Sequence, residues 1–334
     1  MSRGAPRRFH RLRKVILVAL AVVLTLGIVG FAANSAISAS EAHRYRARGS
    51  FVRIGGRKLH FRCSGSGSPT VVFESGFGGS SLDWTLVQPA VAKHARACSY
   101  DRAGYGYSDA APTHSLARIR ADFDAFLHAA QIDGPIVLVA HSFGGLIALD
   151  YASQHSARVA GLVFVDAATK ATYERMNDRI PAFYSNGKKL AFVTKAASVL
   201  TRFGLTRLAN QPASPKTVAP GIRGEYRALG FQPRLYRAFS DDSAAIASYV
   251  GDALDAPRTD IPAYVLTHKD PLTMWTGVPK AEAESIWQDE QQALAARFHA
   301  KHLIVDGTGH FIEVLRPDAV ISAIDDVLSK IAAQ

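Results

Sequence analysis

The stretch Ile136-Val137-Leu138-Val139 has the uninterrupted apolar character of a buried strand, and Leu146-Ile147-Ala148-Leu149 has that of a buried helix. Only Ala140-His141-Ser142-Phe143-Gly144-Gly145 lies between them. So short a link forces a sharp strand-to-helix turn, with small residues two before and two after the serine where the two elements pass close together. A serine on such a turn has the form of a nucleophile elbow, which pushes its hydroxyl out of the sheet. Ser142 also stands at a helix N-terminus, where free N–H groups and the helix dipole favour developing negative charge. Ala140 occupies a place where glycine is commonest, a departure of one methyl group. A plain serine N-cap would give the same short pattern, so the rest of the chain must decide.

Around this turn, strand-like and helix-like segments alternate. Phe51–Ile54 and Lys58–Cys63 flank Gly55-Gly56 as a hairpin would. Thr70–Phe73, Arg96–Tyr100, Val159–Val165, Ile261–Thr267 and Leu303–Val305 read as further strands. Helices are expected at Asp83–His94, around Leu116–Ala130 with Thr113 as cap, at Ala281–Phe298, and at the amphipathic C-terminus from Val320 to Ile331. This alternation predicts an α/β class protein with a mainly parallel sheet and helices on both faces. Residues 169–260 break it: they lack strand signals, carry a helical run near Lys189–Leu208, and are too long for an unstructured loop. A helical cap insertion is expected there.

The net charge of +11 is unevenly placed. Six basic residues, Arg3, Arg7, Arg8, Arg11, Arg13 and Lys14, precede any acid and leave only +5 for the remainder. No basic helix or basic–aromatic interleaving argues for a nucleic-acid partner. The following run, Val15–Ala33, is uncharged and apolar or small apart from Thr25. Its nineteen residues rise roughly 28 Å as a helix, close to a bilayer core. Residues 1–14 therefore read as a basic cytoplasmic tail, 15–33 as a single-pass anchor, 34–50 as a small, polar stalk, and 51–334 as the main domain outside the cytoplasm. A signal peptide cleaved near Ala36-Ile37-Ser38-Ala39 is the alternative, giving a secreted protein. The two cysteines, Cys63 and Cys98, could pair in an exported domain.

A serine nucleophile needs a base, an acid to orient the base, and donors for the oxyanion. Among twelve histidines, His310 is selected by position, on the Asp306–Phe311 turn directly after the last strand. His141 adjoins the serine, but neighbouring side chains on a turn diverge, and it reads as structural. Asp270, at the end of the run Tyr264–Asp270, is the expected acid; Asp166, after Val159–Val165, is the alternative. Backbone N–H groups of Phe143, next to the nucleophile, and of Phe77, in the glycine-rich loop Glu74–Gly79, are the expected oxyanion donors.

Together, the elbow, the glycine loop, the Gly-Thr-Gly-His turn and the segment Tyr100-Asp101-Arg102-Ala103-Gly104-Tyr105-Gly106-Tyr107-Ser108-Asp109 resemble the α/β-hydrolase superfamily, in particular its capped serine hydrolases of esterase or lipase type. The order Ser142, Asp270, His310 is theirs, not that of chymotrypsin or subtilisin. The resemblance runs from about Phe51 to the C-terminus, apart from the insertion. It implies the α/β-hydrolase fold, with a mostly parallel eight-stranded sheet, and cleavage of small-molecule carboxylic esters through an acyl-enzyme, without metal or cofactor. Amide or iminopeptidase-type cleavage, perhydrolysis, or a non-catalytic binding protein of the same fold are the alternatives. Dehalogenating and epoxide-opening relatives carry an aspartate at the elbow, against which Ser142 argues. Many relatives have His-Gly in the oxyanion loop where this chain has Ser75-Gly76, which puts a bracing hydrogen bond in doubt. Arg102 is a candidate to brace that loop instead. In this fold the second and fourth strands are usually neighbours, which implies a Cys63–Cys98 disulfide. Oligomeric state and the identity of the ester are not legible in the sequence.

Overall fold

The computed structural model describes residues 5–180, 183–209, 218–254, 259–271 and 278–334. Eight strands form one sheet in the order β1-β2-β4-β3-β5-β6-β7-β8. They are β1 (Ser50–Ile54), β2 (Arg57–Ser64), β3 (Thr70–Glu74), β4 (Ala97–Tyr100), β5 (Ile136–His141), β6 (Val159–Val165), β7 (Ala263–His268) and β8 (Lys301–Val305). The β1–β2 and β2–β4 pairings are antiparallel and every other pairing is parallel. This is the α/β-hydrolase fold expected from the sequence. The β2–β4 register sets Cys63 opposite Cys98, and a disulfide joins them.

The helices are α1 (Ala5–Arg44), α2 (Gln88–Val91), α3 (Leu116–Ala129), α4 (Gly144–Gln154), α5 (Lys170–Arg179), α6 (Phe183–Arg202), α7 (Leu205–Leu208), α8 (Arg223–Gly230), α9 (Pro233–Asp252), α10 (Lys280–Arg297), α11 (Ile312–Leu315) and α12 (Pro317–Ala332). Strands β3, β5 and β6 are apolar on both faces because helices cover both. Phe123, Phe126, Leu149 and Leu294, from α3, α4 and α10, pack on one face. Val91, Val320, Ile324 and Val327, from α2 and α12, pack on the other.

Three local expectations differ from what is observed. The helix expected at Asp83–His94 is a 3-10 turn, Ser81–Trp84, followed by the single turn α2. Pro89 has no N–H to donate and is tolerated only in a helix's first turn, so the longer helix cannot run through it. The N-cap of α3 is Ser115, whose hydroxyl accepts from Arg118 N, rather than Thr113. The segment expected to be a stalk at 34–50 is helical as far as Arg44, continuing α1 without a break. Its alanines favour helix, and tertiary contacts hold it. The Asn34 amide donates to Thr201 O at 2.9 Å, and the Arg207 guanidinium pairs with Glu41 at 2.6 and 2.8 Å.

Between β6 and β7 lie helices α5 to α9, with 181–182, 210–217 and 255–258 outside the description. Helices α6 and α9 lie against each other, tied by Ser240 Oγ donating to Ala191 O at 2.7 Å. The insertion is anchored to the sheet domain through Asp242 on α9. That carboxylate accepts from Tyr105 and Tyr249 at 2.6 and 2.7 Å and is paired with His114 at 2.6 Å. Burial alone would raise its pKa, but these partners hold it below the usual range.

Candidate active site

Strand β5 is buried along its whole length and delivers Ser142 at the C-terminal edge of the sheet. The serine backbone is left-handed, with φ +52°, a conformation rare outside glycine and one that concentrates at functional turns. Its carbonyl accepts from Gly145 N at 2.9 Å and Ala168 N at 2.8 Å, fixing the turn against the neighbouring strand end. The following glycines are required by close approach. A Cβ on Gly144 would meet Glu74 O at 2.7 Å, and one on Gly145 would meet Ala168 O at 2.6 Å.

Ser142 Oγ lies 2.8 Å from His310 Nε2, and His310 Nδ1 lies 2.6 Å from Asp166 Oδ2. With the proton on Nδ1 the imidazole donates to the carboxylate and accepts from the hydroxyl. Asp166 follows β6, the strand beside β5, and is wholly buried at φ +46°. Besides His310 it accepts from Trp287 Nε1 at 3.0 Å and lies 2.7 Å from His268 Nδ1. Burial works to raise its pKa, but the hydrogen bonds and charges of His268 and His310 prevail and hold it well below the ordinary carboxylate range. It is therefore an anion at neutral pH.

Asp270 does not occupy this place. It is exposed, two residues beyond the end of β7, and its backbone N–H donates to Thr308 O at 3.1 Å. The residue that β7 aims at the site is His268, which bridges Asp166 and Glu284, with Nε2 2.8 Å from Glu284 Oε1. Burial opposes protonation of this ring, yet the two carboxylates raise its pKa. Sequence reasoning missed His268 as a site residue. Its signal was its place, ending an apolar strand at the same sheet edge as Asp166.

The glycine loop after β3 is held from below by Arg102. Its guanidinium donates to the Glu74 carboxylate, to Ser75 O at 2.6 Å and to Gly76 O at 2.5 Å. The Ser75 hydroxyl supplies further bracing, donating to Ser80 O at 2.8 Å and accepting from Trp84 Nε1 at 2.9 Å. The histidine found in many similar loops is thus replaced by a serine and an arginine. The rings of Phe77 and Phe143, the residues expected to carry the oxyanion donors, pack against each other at 5.5 Å. His141 is buried, with Nε2–H donating to His310 O at 2.9 Å, and so holds the loop that carries His310. Burial and the neighbouring His310 ring push its pKa down to about 3, so it stays neutral. Burial also pushes Asp83, close by, up to about 7.

Two cavities open on Ser142. One, about 490 Å³, is bounded by Phe77, His310, Leu190, Tyr226, Leu235 and Phe239. The other, about 290 Å³, is bounded by Tyr173, Met176, Phe183, Ile246, Val278 and Trp287. Both walls are largely apolar, and both draw on the inserted helices. Among the described residues, no group of three or more His, Cys, Asp or Glu side chains is assembled to hold a metal ion.

Residues 69–204 match the model of the α/β hydrolase fold family. A protein of Hormonema carpetanum named "Probable transporter efuK" is 35% identical over 142 residues, 40% of this chain and 20% of that protein. A haloalkane dehalogenase of Sphingobium indicum is 31% identical over 124 residues, 36% of this chain and 42% of the enzyme. The chain spans less than half the length of these curated relatives. A thermophilic esterase of Thermogutta terrifontis superposes with a TM-score of 0.60 at 18% identity, covering 85% of this chain and 99% of the esterase. At that identity the likeness speaks for the fold alone. Sheet order, the match over residues 69–204 and the structural neighbours agree that this chain has the α/β-hydrolase fold.

Proposed function

We propose that this protein is a serine hydrolase of carboxylic esters, membrane-anchored by α1. The observation that carries the reading is the continuous line from Asp166 through His310 to Ser142, with 2.6 and 2.8 Å contacts, at the meeting of two apolar cavities. Ser142 Oγ attacks the ester carbonyl carbon while its proton passes to His310 Nε2. Asp166 holds the ring in the required tautomer and stabilises the imidazolium. The carbonyl oxygen, now an oxyanion, takes hydrogen bonds from the Phe77 and Phe143 N–H groups, each worth about 3 kcal/mol in the transition state. His310 then returns the proton to the departing alkoxide. Water, deprotonated by the same ring, releases the acid and restores the serine.

The domain reading proposed with it is an extracytoplasmic domain at 51–334 whose insertion at 169–260 caps the site. The anchor reading is supported by contacts on both sides of the Ala36–Ala39 cleavage candidate. Asn34 and Ser38 before or within it, and Glu41 after it, all hydrogen-bond Arg207. The basic residues before Val15 favour a cytoplasmic N-terminus.

The test is Ser142→Ala in the full-length protein, assayed on aryl esters of graded acyl length and with a fluorophosphonate probe. Hydrolysis and covalent labelling should both disappear while the thermal midpoint is retained. Wild-type protein that neither hydrolyses any of these esters nor reacts with the probe would instead favour a binding protein of this fold.

A further inference from the structure

The inserted helix α6 has two faces of different use. Its inner face, with Leu190 and Thr194, forms part of the wall of the larger cavity at Ser142. Its outer face is apolar and uncovered: Phe192 is 75% exposed, Val193 62% and Val199 53%, with Leu200 and Phe203 continuing the stripe. Leu208 on α7 extends it at 82% exposure. Cations border the stripe. Lys188, Lys189, Lys195 and Arg202 are all exposed, and residues 183–209 contain no acidic side chain. An apolar face edged by lysine and arginine, without acids, is the pattern of a helix lying in a lipid–water interface.

The position of α6 relative to α1 makes this specific. Gly30 lets the Phe203 backbone come so close that a Cβ there would meet Phe203 O at 2.7 Å. Asn34, the first polar residue after the apolar run, is buried against the end of α6 through its bond to Thr201 O at 2.9 Å. Phe203 and Leu205 share a groove of about 610 Å³ with Leu24, Ile28 and Phe31 of α1. If Val15–Ala33 spans the bilayer, the polar boundary at Asn34 fixes the C-terminal end of α6 at the membrane surface. The apolar stripe is then continuous with the span.

We infer that α6 and α7 lie in the surface of the same bilayer that α1 crosses, and that the catalytic cavity takes its substrate from that bilayer. The substrate class is an amphiphilic carboxylic ester with a long acyl chain, which passes beside α6 into the apolar cavity. This rests on the hydrolase reading and on α1 remaining attached. The occupant of the exposed face is lipid, because the face continues the apolar surface of a spanning helix and every charged side chain within 183–209 is a cation.

The experiment uses the full chain in phosphatidylcholine–phosphatidylglycerol vesicles. Because the native cysteines are joined to each other, Phe192→Cys offers one reactive thiol for an environment-sensitive dye. Ser329→Cys, exposed on α12, is the reference. At position 192 the dye should be quenched by nitroxide lipid and shielded from iodide; at 329 the reverse is expected. Iodide quenching at 192 overturns the proposal. Shielding from iodide without nitroxide quenching also overturns it, in favour of a second copy or another protein on this face. In parallel, Phe192→Glu with Leu200→Glu should slow cleavage of a long-chain diacylglycerol in the vesicles by about tenfold or more. Hydrolysis of a soluble acetate ester and phosphonate labelling should be unchanged, which also reports that the variant is folded. Equal rates on the vesicle ester count against delivery from the bilayer. Failure of wild type on every ester and on the phosphonate refutes the hydrolase reading instead, while the dye still reports where α6 lies.

Discussion

The strand ends around Ser142 and the inserted helices around α6 are built by opposite rules. At the strand ends, Asp166, His268 and His310 are buried and each polar side chain meets its partners within hydrogen-bond distance. In the insertion, apolar side chains as large as Phe192 and Leu208 stand in the open. The first region keeps a charged relay rigid in a low-dielectric setting, where orientation is worth most. The second region presents a surface and forms part of the walls of both cavities at Ser142. On the proposed function, chemistry and selectivity should be separable by mutation, and the contrast can be tested from both sides.

The largest effect is expected at the relay itself. Ser142→Ala should lower turnover by about 10⁶, the scale seen when a serine hydrolase loses its nucleophile. Steady-state assay of pure variant checks this, and activity within tenfold of wild type would break the comparison at once.

Next comes the brace beneath the glycine loop. Arg102→Met removes the donors to Glu74, Ser75 and Gly76 and strands a buried carboxylate. A cost of about 3–5 kcal/mol is expected in urea unfolding. A loss below 1 kcal/mol would mean that the loop holds itself.

A smaller effect follows from His268. Its pKa is raised in the folded protein by Asp166 and Glu284, so its contribution is fully present below pH 6.5, the unfolded value. That contribution fades as pH rises through the higher folded value. In urea midpoints across pH, wild type should gain least over His268→Gln at the alkaline end. A gap that widens with pH would show that the ring is neutral between its two carboxylates.

Smallest of all, Phe192→Ser should change stability by less than about 0.5 kcal/mol, because the side chain has little to lose on leaving an exposed site. A thermal midpoint several degrees lower in detergent would show that the outer face of α6 is packed rather than free.

Much of this arrangement can be read from the chain because it depends on local chemistry. A serine between an apolar strand and an apolar helix, and a histidine on the turn after the last strand, are visible without coordinates. The acid is not. Asp166 and Asp270 both follow strands that run parallel to the same sheet edge, and what separates them is which strand lies beside β5. His268 ends the apolar strand β7 in the sequence as well, but only the structure shows that it takes the place at the site and leaves Asp270 outside in solvent. The 34–50 segment misleads for another reason: its alanines and serines suit a linker as well as a helix. Only the distant partners Thr201 and Arg207 decide for the helix. The bracing role of Arg102 was implied by the resemblance of the Tyr100–Asp109 segment to capped α/β-hydrolases. The compensating contacts of Ser75 could not.

The central claim is that Asp166, through His310, activates Ser142. It is tested most directly by the rate at which a fluorophosphonate labels Ser142, mapped by peptide mass spectrometry, in Asp166→Asn and in Asp270→Asn. An asparagine at the acid's place offers a donor where the imidazole N–H needs an acceptor, and in a serine protease that change lowers turnover by about 10⁴. The account predicts labelling at Ser142 slowed by orders of magnitude in Asp166→Asn and unchanged in Asp270→Asn. Slow labelling in Asp270→Asn with a wild-type rate in Asp166→Asn would contradict it.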